Sequence, residues 1–514
     1  MNTRTSARLA ARAATLTIAA FPLAAQCQFE LAKLLPPTSM PTAEFGHDVA
    51  ISGNRVVVGA PLHDDQGLSN AGSVHVYEPV NGAWSHVASI TPFDPRSNDR
   101  FGTAVALDGD TIAVGSPYDD DNGSSSGSVY VYEFDGASWQ LATKLTGFGV
   151  AEHFGAAVAI HGDVLAVGSP EAQGSQAVRE GVVRVYERLQ GVWTYRAIVS
   201  LHGTTSDVGF GASLEVHDEV IIAGAPGSAI SGTPDSGAAY LIERVGSSWN
   251  ETTAFFDPFG NTGDRFGESV SIFQKTAAVM APNRNGGNGV GFVYRFDGAG
   301  WRATRSSSSS QTVVHYGRSV ALSSNAVLSG DPLAHYGGHV PQTGGGYVRY
   351  WALGLWRDAA HADSPNSSDG DRVGYSCDLD TRFGVLGAPG DDTRGSDAGA
   401  AYVWEFPCHG YTLDPIAPAI AGQNNTIRIR RAIRQFSLVL VGLQPGYVSI
   451  PGFGPTQGVA IADLAILLTL DRTANPAMTV NLPVPAELSG WTVLVQAMEL
   501  ETEAISNLER VTFQ

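Results

Sequence analysis

The chain has 514 residues, including 60 glycines and 27 prolines, with aromatics at 9% and a formal charge of −19. The acidic balance excludes the basic footprint that nucleic-acid binding needs. The glycine and proline content suits many short strands joined by turns, and argues against long helices.

The first segment reads as an export signal. Arg4, Arg8 and Arg12 make a positive start, residues 13–25 are apolar, and Ala24-Ala25 offers small residues for cleavage. The apolar run is too short to span a bilayer, and no other stretch reads as a membrane span. These features predict removal of residues 1–25 and a secreted or cell-surface monomer in a compartment that permits disulfides. Cys27 follows, and then residues 29–35 (Phe-Glu-Leu-Ala-Lys-Leu-Leu), a short strand with no partner nearby in sequence.

From Phe45 onward one pattern repeats seven times. It begins with an aromatic-Gly pair: Phe45-Gly46, Phe101-Gly102, Phe154-Gly155, Phe210-Gly211, Phe266-Gly267, Tyr316-Gly317 and the degenerate Val373-Gly374. Fourteen residues later comes a corner: Gly59-Ala60-Pro61, Gly115-Ser116-Pro117, Gly168-Ser169-Pro170, Gly224-Ala225-Pro226, Met280-Ala281-Pro282, Gly330-Asp331-Pro332 and Gly387-Ala388-Pro389. The internal offset is constant while the repeat spacing runs from 50 to 57, as in a repeated unit with variable connections.

The second unit shows the strands. Residues 104–107 and 111–114 form an apolar hairpin, 128–134 alternates as a half-buried strand, Asp135-Gly136 signals a turn, and 139–145 is a fourth strand. Four antiparallel strands per unit make one propeller blade, so seven units predict an all-β, seven-bladed β-propeller over residues 26–408. Tryptophans open six fourth strands: Trp84, Trp139, Trp193, Trp249, Trp301 and Trp356. The seventh fourth strand is then the N-terminal segment 29–35, which closes the ring and removes its open faces. Antiparallel pairing of that segment with the last third strand, 401–406, brings Cys27 beside Cys408 and predicts a disulfide between them. Cys377 stands where other units have Val49, Val105, Val158 or Val270, and is expected to be a buried free thiol.

The aromatic-Gly and Gly-Ala-Pro pattern over residues 29–406 resembles the FG-GAP repeats of integrin alpha subunits and their bacterial relatives. The resemblance implies a seven-bladed propeller engaged in extracellular recognition, with a protein or glycan as partner. The integrin-type repeat carries a calcium loop between its first and second strands. Here that connection is a tight turn, such as Gly53-Asn54, Gly109-Asp110 or Asp218-Glu219, without the six to eight oxygens calcium requires. No cofactor is therefore expected there.

Long, variable connections between strands two and three, and between blades, share one face of the disc, where binding is expected. Three of the two–three loops are acidic: Asp64-Asp65, Asp119-Asp120-Asp121 and Asp391-Asp392, in units one, two and seven. These units are neighbours in a closed ring. Their acids form either a calcium or polar-ligand sector or a set of turn residues capping their own backbone. The interblade connections add Asp94, Asp99, Asp264, Asp369 and Asp371. The repeated Glu78, Glu133, Glu187, Glu243 and Glu405, and the tryptophans, read as scaffold. Residues 306–310, all serine, read as a loop.

Beyond the repeat, residues 409–514 carry six strand-like runs, 426–430, 436–441, 464–470, 478–482, 491–498 and 510–513, separated by turn signals. They predict a small C-terminal β-sandwich. Residues 485–497 resemble a C-terminal module of secreted bacterial surface proteins, which implies stabilisation or surface retention.

Motifs for chemistry are lacking: there is no HExxH and no phosphate-binding loop, and the Gly-x-Ser-x-Gly match at residues 123–127 lies in the loop between two strands of the second unit, not at a strand-to-helix elbow. His315, His335 and His361 fall close in the repeat without metal-ligand spacing. The expectation is a non-catalytic recognition or adhesion protein. The alternatives are a polysaccharide-acting enzyme on a propeller scaffold, marked by axial carboxylates of shifted pKa, and a structural envelope component.

Overall fold

The computed structural model describes residues 29–173, 179–201, 208–307, 316–324, 326–334, 343–352, 355–362, 364 and 367–405, and beyond them 412–413, 424–430, 437–442, 466–470, 477–483, 492–499 and 509–512. Residues 1–28, with the export signal and Cys27, and residue 408, the other cysteine of the expected disulfide, lie outside the described residues, as do His315 and His335.

Seven four-stranded antiparallel sheets form a ring of blades. In six of them the strands follow chain order from inside to outside, as in Val49–Ser52, Arg55–Ala60, Ser73–Val80 and Ala83–Ile90. The seventh combines Cys377–Leu379, Phe383–Ala388 and Ala400–Glu405 with the N-terminal strand Phe29–Leu34 on its outer edge. Phe29 lies opposite Glu405 and Leu34 opposite Ala401, so the two ends of the ring close on each other as the sequence predicts. Ser306 and Ser307, expected in a loop, instead continue the outer strand Trp301–Ser307 of blade 5. The ladder needs that length to match Val290–Phe296. His361 falls in the outer strand Leu355–Ala362 of blade 6.

The repeated motif is an interblade joint. Every aromatic of the pair is buried, as is Val373 in the seventh unit. The glycine beside it sits at positive φ, +83° to +92°. Its N–H donates to the carbonyl of the corner residue in the same blade: Gly46 to Gly59 at 2.9 Å, Gly102 to Gly115 at 3.0 Å, and so on to Gly374 and Gly387. This bond explains the constant offset. The corner glycine has a separate cause. A Cβ on Gly59 would collide with the Gly102 carbonyl of the next blade, and one on Gly387 would collide with Gly46 across the ring closure. Close backbone approach at both positions excludes any side chain. In the fifth unit Met280 replaces the corner glycine, and its side chain packs under Gly317 of the next blade.

The inner strands knit neighbouring blades together. Ser52 accepts the N–H of Gly109, Asp108 that of Gly162, Asp380 that of Gly53, and Ser271 that of Leu322. Between blades the core is apolar. Val57, Val74, Val76, Phe101, Val105, Ile112 and Tyr130, for example, form one buried cluster between blades 1 and 2. Burying a residue the size of Phe101 contributes on the order of 3–5 kcal/mol against truncation to alanine.

Four of the five repeated glutamates make ion pairs or hydrogen bonds within the scaffold. Glu78 pairs with Arg55, Glu133 with Arg188, Glu405 with Arg382, and Glu187 with Arg196 and the indole N–H of Trp249. Trp193 and Trp249 are buried, while Trp84, Trp139 and Trp301 pack against the core from partly exposed positions. Cys377 is free, but only part-buried rather than sealed in the core. It stands on an inner strand, its thiol donating to the Leu328 carbonyl, and burial pushes its pKa up to about 12. Beyond the ring the backbone forms two further antiparallel sheets, one built on Asn424–Arg430 and one on Ser437–Gly442. Among the described residues no helix is long and apolar enough to cross a membrane.

Candidate functional site

The acidic two–three loops occupy one sector, because blades 7, 1 and 2 are neighbours in the closed ring. Their carboxylates are spent on the loops themselves. In blade 2, Asp119 is buried; one oxygen accepts the N–H of Asp121 and the other the Tyr130 hydroxyl, with Lys144 Nζ at 3.0 Å. Lys144 also meets Asp94 at 2.8 Å and Asp121 at 2.6 Å. Asp120 caps the loop by accepting from Ser125 N. Blade 7 repeats the design: Asp391 accepts from Thr393 N and the Tyr402 hydroxyl and pairs with Lys33 at 2.6 Å, while Asp392 accepts from Asp397 N. Burial alone would raise Asp391, but Lys33 and Thr393 outweigh it and hold the carboxyl below its ordinary range. In blade 1, Asp64 accepts from Asn70 N, and Asp65 receives the side-chain amide of Gln66. Five of these seven acids, Asp64, Asp119, Asp120, Asp391 and Asp392, accept backbone N–H groups of their own loops, while Asp65 and Asp121 meet only side chains.

The interblade acids behave similarly. Asp99 and Asp371 stand two residues before their pairs, and burial pushes each up to about 7, helped by Asp119 and Asp391 respectively. In blade 3 the same space holds Arg184 against Glu152 at 2.7 Å, and in blade 5 Arg284 against Asp257 and Asp264 at 2.9 and 2.6 Å. Blade 1 fills it with imidazoles. His75 is buried, bonded to Ser73 and Ser89, and driven down to about 3 by burial and by His86 and His63.

Exposed aromatics also stand on this face. Phe93, Phe148 and Phe259 follow the outer strands of blades 1, 2 and 4 and are 66%, 66% and 80% exposed. Cations lie against two of them: Lys144 Nζ at 5.9 Å from the Phe93 ring and the Arg184 guanidinium at 4.8 Å from Phe148. Arg100 stacks on Tyr118 at 4.5 Å, and Tyr118 meets His153 at 4.8 Å.

A second feature lies on the axis. The seven inner strands surround a channel of about 300 Å³. Small residues face it, such as Ala50, Ala106 and Ala159, but at the same register stand Glu215 and Asp378, with Asp48 two positions earlier. Asp48 accepts from Val49 N and Val105 N, tying blade 1 to blade 2. Asp378 accepts from Ile51 N and Leu379 N, tying blade 7 to blade 1. Among the described residues Glu215 accepts only from Val216 N, at 3.3 Å. The channel walls keep bulk water away, so the charged forms are disfavoured. Asp48 rises to about 6, Asp378 to about 7 and Glu215 to about 8, the last also by repulsion from Asp378 and Asp48. At one mouth the Arg318 guanidinium stacks on Tyr375 at 4.7 Å, and His47 meets the same ring at 5.3 Å.

The acidic sector was legible in sequence, and so was the capping role of five of its seven acids. The channel acids were not singled out. Their signal is a carboxylate at an inner-strand register that other units fill with alanine or serine, visible once the seven units are aligned on their aromatic-Gly pairs.

The architecture and the interblade joints define a closed seven-bladed β-propeller with its long loops on one face. The FG-GAP repeat family matches residues 29–77 and 84–132, so FG-GAP repeats are detected at the start of a chain that folds as a seven-bladed propeller. Three solved structures share general likeness. The β-propeller domain of the Trilobed protease from Pyrococcus furiosus is 11% identical, with TM-score 0.38, covering 66% of this chain and 90% of that one. Pyrococcus horikoshii acylaminoacyl peptidase is 8% identical, with TM-score 0.42, covering 78% and 58%. A putative oxidoreductase (glucose dehydrogenase) from Thermus thermophilus is 13% identical, with TM-score 0.34, covering 64% and 98%.

Proposed function

We propose that this protein is an exported recognition protein that binds an extracellular glycan or protein through the long-loop face of its propeller. The observation that carries the reading is the set of exposed phenylalanines, Phe93, Phe148 and Phe259, on loops whose polar groups are already paired. Aromatic faces beside cations bind sugar rings and apolar or aromatic side chains without covalent chemistry. Rigid blades hold these loops in place, which limits the ordering cost of binding. The test is retention of the mature chain on a polysaccharide and glycan array. Selective binding to one class, lost on replacing Phe93 and Phe148 with alanine, supports the reading. Binding that ignores both changes refutes this face.

The axial carboxylates favour a second reading, a carbohydrate-acting enzyme. A protonated Glu215 near ionisable Asp378 and Asp48 has the composition of an acid/base set. Release of reducing ends from a polysaccharide panel, abolished by Glu215→Gln, would favour it over recognition. The channel volume sits at the small end of ligand pockets, roughly 300–1,000 Å³.

A further inference from the structure

On the short-turn face, opposite the long loops, blades 3 and 4 bring together His161, His217 and Asp218. The two histidines end equivalent inner strands, Ala157–His161 and Leu214–His217. One ligand atom from each of the three residues lies within 4.8 Å of the others. His217 Nε2 is 3.8 Å and His161 Nδ1 3.9 Å from the two Asp218 oxygens. The rings are held: His161 lies 4.6 Å from His217, which stacks at 4.3 Å on Phe273 of blade 5. We propose that this trio binds one divalent transition-metal cation of the zinc or nickel class, pinning blade 3 to blade 4.

Three arguments support the assignment. The donor set is two imidazoles and one carboxylate, which suits zinc, nickel or copper and disfavours calcium and magnesium. Tetrahedral bonds of about 2.0–2.1 Å put neighbouring ligand atoms roughly 3.3 Å apart, so the three atoms, now within 4.8 Å of one another, close on a cation by side-chain shifts of up to about 1.5 Å. The neighbouring turns also differ. Asp110 is paired with Arg55, Asp163 with Arg188 and Glu219 with Arg244, whereas among the described residues Asp218 faces only the two imidazoles.

The competing account is structural. His161 Nδ1 accepts the Asp218 N–H at 3.1 Å, the same interblade latch that Ser52, Asp108 and Asp380 make in other blades. The latch explains His161 but asks nothing of His217 or of the Asp218 carboxylate. Metal binding at Nδ1 replaces this hydrogen bond, and solvent completes the coordination.

Calorimetric titration of the untagged full chain with Zn²⁺, Ni²⁺ and Ca²⁺ tests the site. The expected result is one strong equivalent of Zn²⁺ or Ni²⁺ and none of Ca²⁺ at the same site. His217→Phe keeps the stack on Phe273, and His161→Asn keeps an acceptor for Asp218 N–H. Each should weaken Zn²⁺ binding at least about tenfold. Asp218→Asn, which tolerates the left-handed backbone at φ 55°, should weaken it less. Should a variant fold poorly, Zn²⁺ protection of His161 and His217 from diethylpyrocarbonate in the wild-type chain, mapped by mass spectrometry, gives an independent reading. Unchanged affinity in both histidine variants, no Zn²⁺ binding, or no protection of the two histidines would overturn the proposal.

Discussion

Glu215→Gln probes the axial channel directly. The folded chain holds this carboxyl at about 8, against an ordinary glutamate value of 4.5. The folded state therefore binds the proton more tightly than the open chain. The group favours the fold fully below pH 4.5, and that contribution is lost as pH rises through 8. At about 1.36 kcal/mol per pH unit, the loss by pH 9 has a ceiling of about 5 kcal/mol. Glu215 is only partly buried in the channel wall, and screening at that exposure brings the figure to roughly 2–3 kcal/mol. Glutamine has the shape of the neutral acid and cannot ionise. The variant should match the wild type at pH 5 and be more stable at pH 9. An unfolding entropy of about 2.1 cal/mol/K per residue makes the gain about 3 °C for a ring of this size. Melting curves of both proteins at pH 5 and 9 measure it. A variant that melts at or below the wild type at pH 9, or gains equally at pH 5, refutes the reasoning.

Lys144→Met leaves buried Asp119 without its cation and should cost about 3 kcal/mol at neutral pH, read by thermal melting. Adding Asp119→Asn should restore part of the loss. Gly399→Ala would drive a Cβ into the Phe45 backbone at the ring closure, at φ +87°, and should lower the melting point far more than Gly82→Ala. Gly82 has a similar φ, +85°, but open space around it, so its cost should stay near 1–2 kcal/mol. The pairing of Phe29 with Glu405 predicts a Cys27–Cys408 disulfide, and peptide mapping of unreduced protein should find the linked pair. Two free thiols there would refute the latch.

The ring was readable because its joint is written in local sequence. Gly46 must meet Gly59 within a blade, and Gly59 must admit Gly102 from the next, so both glycines recur at one offset whatever the loops do. The N-terminal strand was readable by counting, because six units opened a fourth strand with tryptophan and the seventh had none. The capping role of Asp120 and Asp392 was readable because an Asx side chain reaches only its own turn. Cys377 came out less buried than its valine counterparts suggest, since its inner strand faces the channel as well as the core.

The sequence by itself determined the blade count, the closure and the faces of the disc, because each follows from short-range spacing and from strand alternation. Tertiary structure alone decided which distant side chains share a space. Asp48, Glu215 and Asp378 act on one another only because the ring wraps their three inner strands around one axis, where low polarity magnifies their repulsion. His161 and His217 stand a full repeat apart in the chain, and they meet because adjacent blades bring equivalent strand ends together.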